Sequence, residues 1–208
     1  MSKILFEACV DSIQDADKAF NNGAHRLELC SRLDLDGLTP EAKLIDHCLN
    51  NIDLPAKVMV RPRKGGFEYD LSEQSYILET IQNFASKGIH DIVVGATKGN
   101  RLYIDFIKEI GESFPDVKLT IHKAIDQSSN IIEDIQLLKN IPNVVAILSS
   151  GGQGKAVDNI EMLKAMHRTC TPEIQLVIAG KVTQSNFNRL LHATGCNEYH
   201  GKRIMEKD

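Results

Sequence analysis

The chain has 208 residues, 42% of them hydrophobic and 25% charged, with a formal net charge of −4; this is the balance of a soluble globular protein able to bury one sizeable core. Scattered basic residues, no Trp and only 5% aromatics exclude an evident nucleic-acid surface, and no apolar run approaches the roughly 20 residues of a membrane span. Met1 to Glu7 meets an acid too early for a secretory signal, and five unpaired-looking cysteines suit a reducing compartment, so a cytoplasmic protein with no membrane or nucleic-acid partner is expected.

Along the chain, short apolar runs alternate with helical patterns. A first strand is predicted over 4–9, and Ser12 and Asp15 ahead of Ala16, Ala19 and Phe20 open a helix that Gly23 stops. A second strand over 26–30 repeats the Glu-x-Cys ending of the first, as Glu28-Leu29-Cys30 follows Glu7-Ala8-Cys9. Thr39-Pro40-Glu41 reads as an N-cap, a first-position proline and a first-turn acid. A strand over 56–61 is followed by a helix opened at Ser72-Glu73, carrying Ile77, Leu78, Ile81 and Phe84 and ended by Gly88. The strand over 91–95 precedes a stripe at Ile104, Ile107 and Ile110, and that over 118–122 precedes Ile131, Ile135 and Leu138. The strand over 144–149 is followed by Met162, Leu163 and Met166. The strand over 174–179 leads to Thr183, which is expected to cap a helix with Phe187, Leu190 and Leu191. A brief strand over 198–200 closes the series.

Eight nearly continuous apolar strands alternating with helices predict a parallel sheet covered on both faces. A closed (β/α)8 TIM barrel is the expected architecture, as a single domain over 1–208, with an open doubly wound sheet as the alternative. Only eight residues follow His200, so the last helix is expected to be short or missing. The unusual polar residues favour the barrel. They fall at strand C-termini, on the rim where barrels build their sites: Glu7 and Cys9, Glu28 and Cys30, Arg61 and Arg63, His122 and Lys123, Ser149 and Ser150, Gly180 and His200.

Each constellation has two readings. Thiolates are soft ligands for Cu(I) or Zn(II), and two inward thiols on adjacent strands could share an ion; the alternative is a pair of buried small hydrophobes. Charged glutamates beside them would oppose thiolate formation. Arg61 and Arg63 are forks suited to carboxylate or phosphate, although Arg61 could instead neutralise Glu7 or Glu28. Glu7, Glu28, His122 and Lys123 are the candidate acid/base groups, and alternation sends His122 and Lys123 to opposite sides of their strand. The loops at Ser150-Gly151 and Gly180 could cradle an anion on backbone N–H groups. No nucleotide or flavin signature is present.

These residues taken together resemble the CutC family. The resemblance is carried by Glu7-Ala8-Cys9-Val10-Asp11-Ser12, Gly23-Ala24-His25-Arg26-Leu27-Glu28-Leu29-Cys30, Gly37-Leu38-Thr39-Pro40 and Val58-Met59-Val60-Arg61-Pro62-Arg63. It continues through Gly66-Phe67-Glu68-Tyr69, Val94-Gly95-Ala96, His122-Lys123-Ala124-Ile125-Asp126, Leu148-Ser149-Ser150-Gly151-Gly152, Asn186, Thr194-Gly195, Glu198 and His200. The family's usual His-Arg-Ala-Phe-Asp appears as His122-Lys123-Ala124-Ile125-Asp126, and a Gly-Gly-Gly stretch as Ala179-Gly180-Lys181. The resemblance implies a cytoplasmic copper-homeostasis protein on a TIM barrel, a homodimer or higher homo-oligomer, with Cys9 and Cys30 at the positions associated with Cu(I). The rival expectation is a lyase, aldolase or isomerase acting on a small anionic metabolite held by Arg61, Arg63, Ser150, Gly151, Gly180 and His200.

Overall fold

A computed structural model describes residues 3–206. Strand β1 (Leu5–Val10) leads to α1 (Ile13–Asn21); Ser12 caps this helix by accepting from the Asp15 N–H, and its buried Ala16 and Ala19 face the sheet. Strand β2 (Arg26–Leu29), α2 (Ala42–Asn51) and β3 (Ala56–Met59) follow. Helix α3 (Leu71–Ser86) is opened by a capping box. The Asp70 carboxylate accepts from the Glu73 N–H, and Glu73 accepts from that of Asp70, so two otherwise orphaned donors are satisfied. Strand β4 (Asp91–Val94) is followed by a small antiparallel hairpin, β5 (Thr97–Lys98) with β6 (Arg101–Leu102), before α4 (Ile104–Ser113). The remaining units are β7 (Lys118–Ile121) with α5 (Ile131–Leu138), β8 (Val144–Ser149) with α6 (Ile160–Cys170), β9 (Gln175–Ile178) with α7 (Phe187–Thr194), and β10 (Glu198–Gly201).

The sheet closes in the order β1-β2-β3-β4-β7-β8-β9-β10 and back to β1, with every pairing parallel. This is the (β/α)8 barrel the alternation predicts. No helix follows β10 among the described residues; 202–206 form turns, as expected of a short final unit. Outward strand residues such as Leu27, Leu29, Val58, Ile92 and Ile121 pack with Ile77, Ile81, Phe106, Ile107, Ile135 and Leu163 of the helices in one continuous apolar shell. Burying a leucine or isoleucine side chain is worth about 1.5–3 kcal/mol, so this shell is the main drive to closure.

Inside the barrel the apolar content is small and divided. Cys9, Cys30, Met59 and Val93 form one group, and Ala146, Leu148, Val177 and Ala179 another. The rest of the interior is polar, with Glu7, Glu28, Lys57 and His200 buried beside Thr120 and His122.

Three local expectations are corrected. Glu41, not Thr39, stands at the N-cap of α2, because the Thr39 hydroxyl is occupied by the backbone of Arg61, as acceptor from its N–H at 3.0 Å and donor to its carbonyl at 3.1 Å. Asn186 rather than Thr183 stands at the start of α7; its side chain reaches back to accept from the Thr183 N–H. Met162 is exposed, while Leu163 and Met166 carry the buried face of α6.

Candidate metal centre and barrel mouth

Strand register brings the site together. In the β1–β2 ladder Cys9 stands beside Glu28 and Glu7 beside Arg26, and in the β1–β10 ladder Glu7 stands beside His200. The two Glu-x-Cys endings are therefore staggered by two residues, so that Cys9 is level with Glu28 and Cys30 sits one inward position higher.

Low in the barrel, the buried Glu7 is surrounded by cations. Arg26 donates to its Oε2, Lys57 Nζ lies 3.4 Å from the same oxygen, and His200 Nδ1 is 2.8 Å from Oε1. Arg26 also donates to Glu198 at 2.7 Å. Burial alone would raise the Glu7 carboxyl, but the Lys57 charge, the His200 hydrogen bond and Arg26 together hold it well below the usual carboxylate range. Arg61, which could have neutralised Glu7 or Glu28, pairs with neither; Arg26 and Lys57 engage Glu7 instead. Both lie on the inward parity of their strands, two positions from Met59 and Glu28, and period-two reading could have found them. His200 bridges to the second acid, with Nε2 3.5 Å from Glu28 Oε2. Burial disfavours its cation, yet the Glu28 and Glu7 charges win and its pKa is raised.

Above this layer the two thiols meet. Cys9 Sγ lies 3.3 Å from Cys30 Sγ and donates to Glu28 Oε2 at 3.0 Å. The Cys9 thiol is pushed well up by its hydrogen bond with Cys30, by burial and by Glu28. For Cys30 the Cys9 hydrogen bond works downward, but burial and Glu28 outweigh it. Both are thiols at neutral pH. Burial also raises Glu28, with the Glu7 charge adding to it against the opposing pull of His200 and Cys9. One donor atom each from Cys9, Glu28 and Cys30 lies within 4.8 Å of the others, and so do those of Glu7, Glu28 and His200. The second group already has its charges paired by Arg26 and Lys57. The first has two soft sulfurs with no other side-chain partner than each other and Glu28.

The rest of the rim divides between a cavity and its supports. A cavity of about 520 Å³ opens at the C-terminal ends of the strands, lined by Cys9, Glu28, Arg61, His122, Lys123 and His200 among others. Arg61 is buried beneath the β2–α2 loop, where its Nη1 donates to the carbonyls of Leu35, Asp36 and Gly37 and its Nη2 to Gly65 at 2.8 Å. The left-handed conformations of Arg32, Asp36 and Gly37 turn those carbonyls toward it. Its guanidinium lies over Phe67, 4.7 Å from the ring centroid. Arg63 does not reach the mouth. It pairs with Glu73 at the start of α3 and donates to the carbonyls of Gly66 and Glu68.

His122 is buried with its ring 4.6 Å from that of Phe67, and its Nδ1 accepts from the Ala124 N–H at 3.1 Å. Burial, with the Arg61 charge, lowers its pKa to about 3. Gly95 makes room for it, since a Cβ there would lie 2.8 Å from Nδ1. Lys123 is exposed on the rim of the same cavity; the chain leaves β7 at Ile121 and enters a 3₁₀ turn over Lys123–Gln127, so the expected separation of His122 and Lys123 by strand alternation is not realised.

The anion cradle expected at Ser150 and Gly151 is already filled. The buried Asp126 carboxylate accepts from the N–H groups of Ser150 and Gly152 and from both serine hydroxyls, Ser149 and Ser150, while the Gly151 N–H goes to Ser149 Oγ. These donors hold a carboxylate of the protein itself. Gly180, at φ +94, is needed for packing: a Cβ would meet Ser150 Cβ at 2.6 Å.

Comparison with known proteins gives a consistent result. A family model described as the CutC family matches residues 4–205. A family protein CutC from Photobacterium profundum is 30% identical over 200 residues, covering 95% of this chain and 80% of the relative. A human relative named copper homeostasis protein cutC homolog is 27% identical over 205 residues, covering 98% and 75%. The crystal structure of a copper homeostasis protein CutC from Streptococcus agalactiae superposes with a TM-score of 0.89 at 26% identity, covering 97% of this chain and 99% of that one. A dihydrodipicolinate synthetase from Pseudomonas aeruginosa, at 11% identity and a TM-score of 0.64 over 98% of this chain and 72% of that one, shares the fold alone.

Proposed function

The chain belongs to the CutC family, and from that premise we propose that it serves copper homeostasis by binding Cu(I) through Cys9 and Cys30. The observation that carries this reading is the pair of buried sulfurs 3.3 Å apart beneath the barrel mouth. Their chemistry fits the ion, because soft thiolate ligands select Cu(I) over harder cations. The second acidic group, Glu7, Glu28 and His200, is better suited to balancing charge, since Glu7 is already engaged by Arg26 and Lys57.

Binding must remove the thiol protons. Cys9 already donates toward Glu28 Oε2, so the carboxylate can accept the first proton, and His200 beside the same oxygen offers a counter-charge. A bis-thiolate Cu(I) unit carries a net negative charge, which the nearby Lys57, Arg26 and His200 favour. All five cysteines are free and buried, in keeping with a reducing cytoplasm, and a homo-oligomer belongs to the same reading; cell fractionation and sedimentation test these two points.

An anaerobic competition titration against a chromophoric Cu(I) chelator tests the site. About one ion per chain is expected, lost on changing both Cys9→Ser and Cys30→Ser. Unchanged affinity in that double variant would sink the assignment.

A further inference from the structure

Three buried polar atoms around the mouth have no partner among the described residues: Glu28 Oε1, Arg61 Nε and His122 Nε2. All three residues line the same cavity. Leaving a buried N–H unsatisfied is costly, so donors held in this way are characteristic of a site built to receive an acceptor.

Both donors are fixed in role and orientation. His122 accepts the Ala124 N–H on Nδ1, so that nitrogen carries a lone pair. The ring stays neutral down to about pH 3, and its single proton therefore sits on Nε2, at the opposite edge. The Arg61 guanidinium is clamped through its two terminal nitrogens by the carbonyls of Leu35, Asp36, Gly37 and Gly65, and its Nε–H has no partner among the described residues. Phe67 packs against both groups and holds them in one wall. The entrance carries Lys123, Lys181 and Lys202, from the loops after β7, β9 and β10, against Asp36. Lys181 adopts a left-handed φ of +58, a conformation that costs a non-glycine residue energy and collects at functional sites. Of the other acids on the lining, Asp126 is spent on the loop after β8, and Glu28 accepts from the Cys9 thiol and faces His200.

We propose that the mouth is a binding site for a small organic anion, a hydroxy- or oxo-acid or its phosphate ester. Arg61 Nε–H and His122 Nε2–H donate to its carbonyl or hydroxyl oxygen, and Lys123, Lys181 and Lys202 meet its anionic group. The site goes beyond the copper reading and uses neither thiol. A cavity of about 520 Å³ holds such a metabolite with room to spare.

The test uses the whole chain with pyruvate and 2-phosphoglycolate as probes, and acetate and inorganic phosphate as controls. Wild-type protein labelled with ¹⁵N is expected to show His122 protonated on Nε2, with that resonance moving on titration with a probe but not with acetate. His122→Phe should weaken probe binding about tenfold, the loss of one hydrogen bond to an otherwise unpaired donor. Tighter binding of 2-phosphoglycolate assigns the lysine rim to phosphate, and tighter binding of pyruvate assigns it to carboxylate; either supports the site. Should the variant fail to fold, the wild-type ring resonance decides. Failure of both probes to bind, affinity untouched by His122→Phe, or a ring proton on Nδ1 would overturn the proposal. Cu(I) titration of the same protein is read separately, so a chain that binds copper but no probe refutes this site alone.

Discussion

Replacing His122 by Asn should remove a defined part of the protein's acid sensitivity. The Asn Oδ1 can take the place of Nδ1 as acceptor for the Ala124 N–H, so the turn after β7 keeps its cap while the titrating ring is lost. In the folded wild type the imidazole protonates only near pH 3, whereas in the unfolded chain it does so near its ordinary value of about 6.5. Between those values the unfolded state binds the extra proton, so stability falls as pH falls through this window and is flat above it. From about pH 7.5 to about pH 5, the unfolded histidine gains roughly 1.5 pH units of protonation free energy, or about 2 kcal/mol. Urea unfolding of wild type and variant at both pH values measures the difference. His122→Asn should be the less stable protein at the higher pH, through the space its smaller side chain leaves, and should recover about 2 kcal/mol relative to wild type at the lower one. A stability gap that is the same at both pH values would refute the argument that the ring is held neutral.

Other parts of the interior make separate predictions. Glu7→Gln leaves Arg26, Lys57 and His200 facing a neutral amide, and should cost about 3–5 kcal/mol in denaturant unfolding; a loss below about 1 kcal/mol would mean the cations find other partners. Apparent Cu(I) affinity should rise about ten- to a hundredfold per pH unit near neutrality, because one or two thiol protons must leave; a flat profile in the chelator competition would place the ion elsewhere. Asp126→Asn replaces one acceptor oxygen by an NH₂ group: in place of Oδ1 it faces the Ser150 and Gly152 N–H groups, and in place of Oδ2 the Ser150 N–H and hydroxyl. Amide exchange at these two residues should accelerate, with about 1.5–3 kcal/mol of stability lost; unchanged protection would contradict its role in holding the loop.

The barrel was legible in the sequence because its strands are covered on both faces and so read as short continuous apolar runs between helical stripes. The β5–β6 hairpin was not, since two residues per strand between Gly95 and Leu102 leave no alternation to read. At the site, the adjacency of Cys9, Glu28 and Cys30 followed from the repeated ending. The charge partners did not. Arg61 looked like the natural partner of the glutamates by type, but a loop with three left-handed residues supplies carbonyls that satisfy its fork. Arg26 and Lys57 carry no motif of their own, and only their parity with Glu28 and Met59 marks them as inward. The glycine-rich turn after β8 reads as a cradle for a bound anion, but its donors are taken by Asp126, whose distance in sequence gives no hint of the pairing.

The layer formed by Glu7, Arg26, Lys57, Glu198 and His200 also closes the barrel axis beneath the thiols. A filled, charge-paired floor makes the barrel a cup with no through passage. A smaller cavity between α1 and the turns after β10 also touches Cys9, so the thiol is approached from the mouth and from this flank but not along the axis from below. On the proposed copper reading, hand-over to an acceptor is then a ligand exchange at the sulfurs rather than transit along the barrel axis, and a molecule lodged in the mouth stands in the way of that exchange.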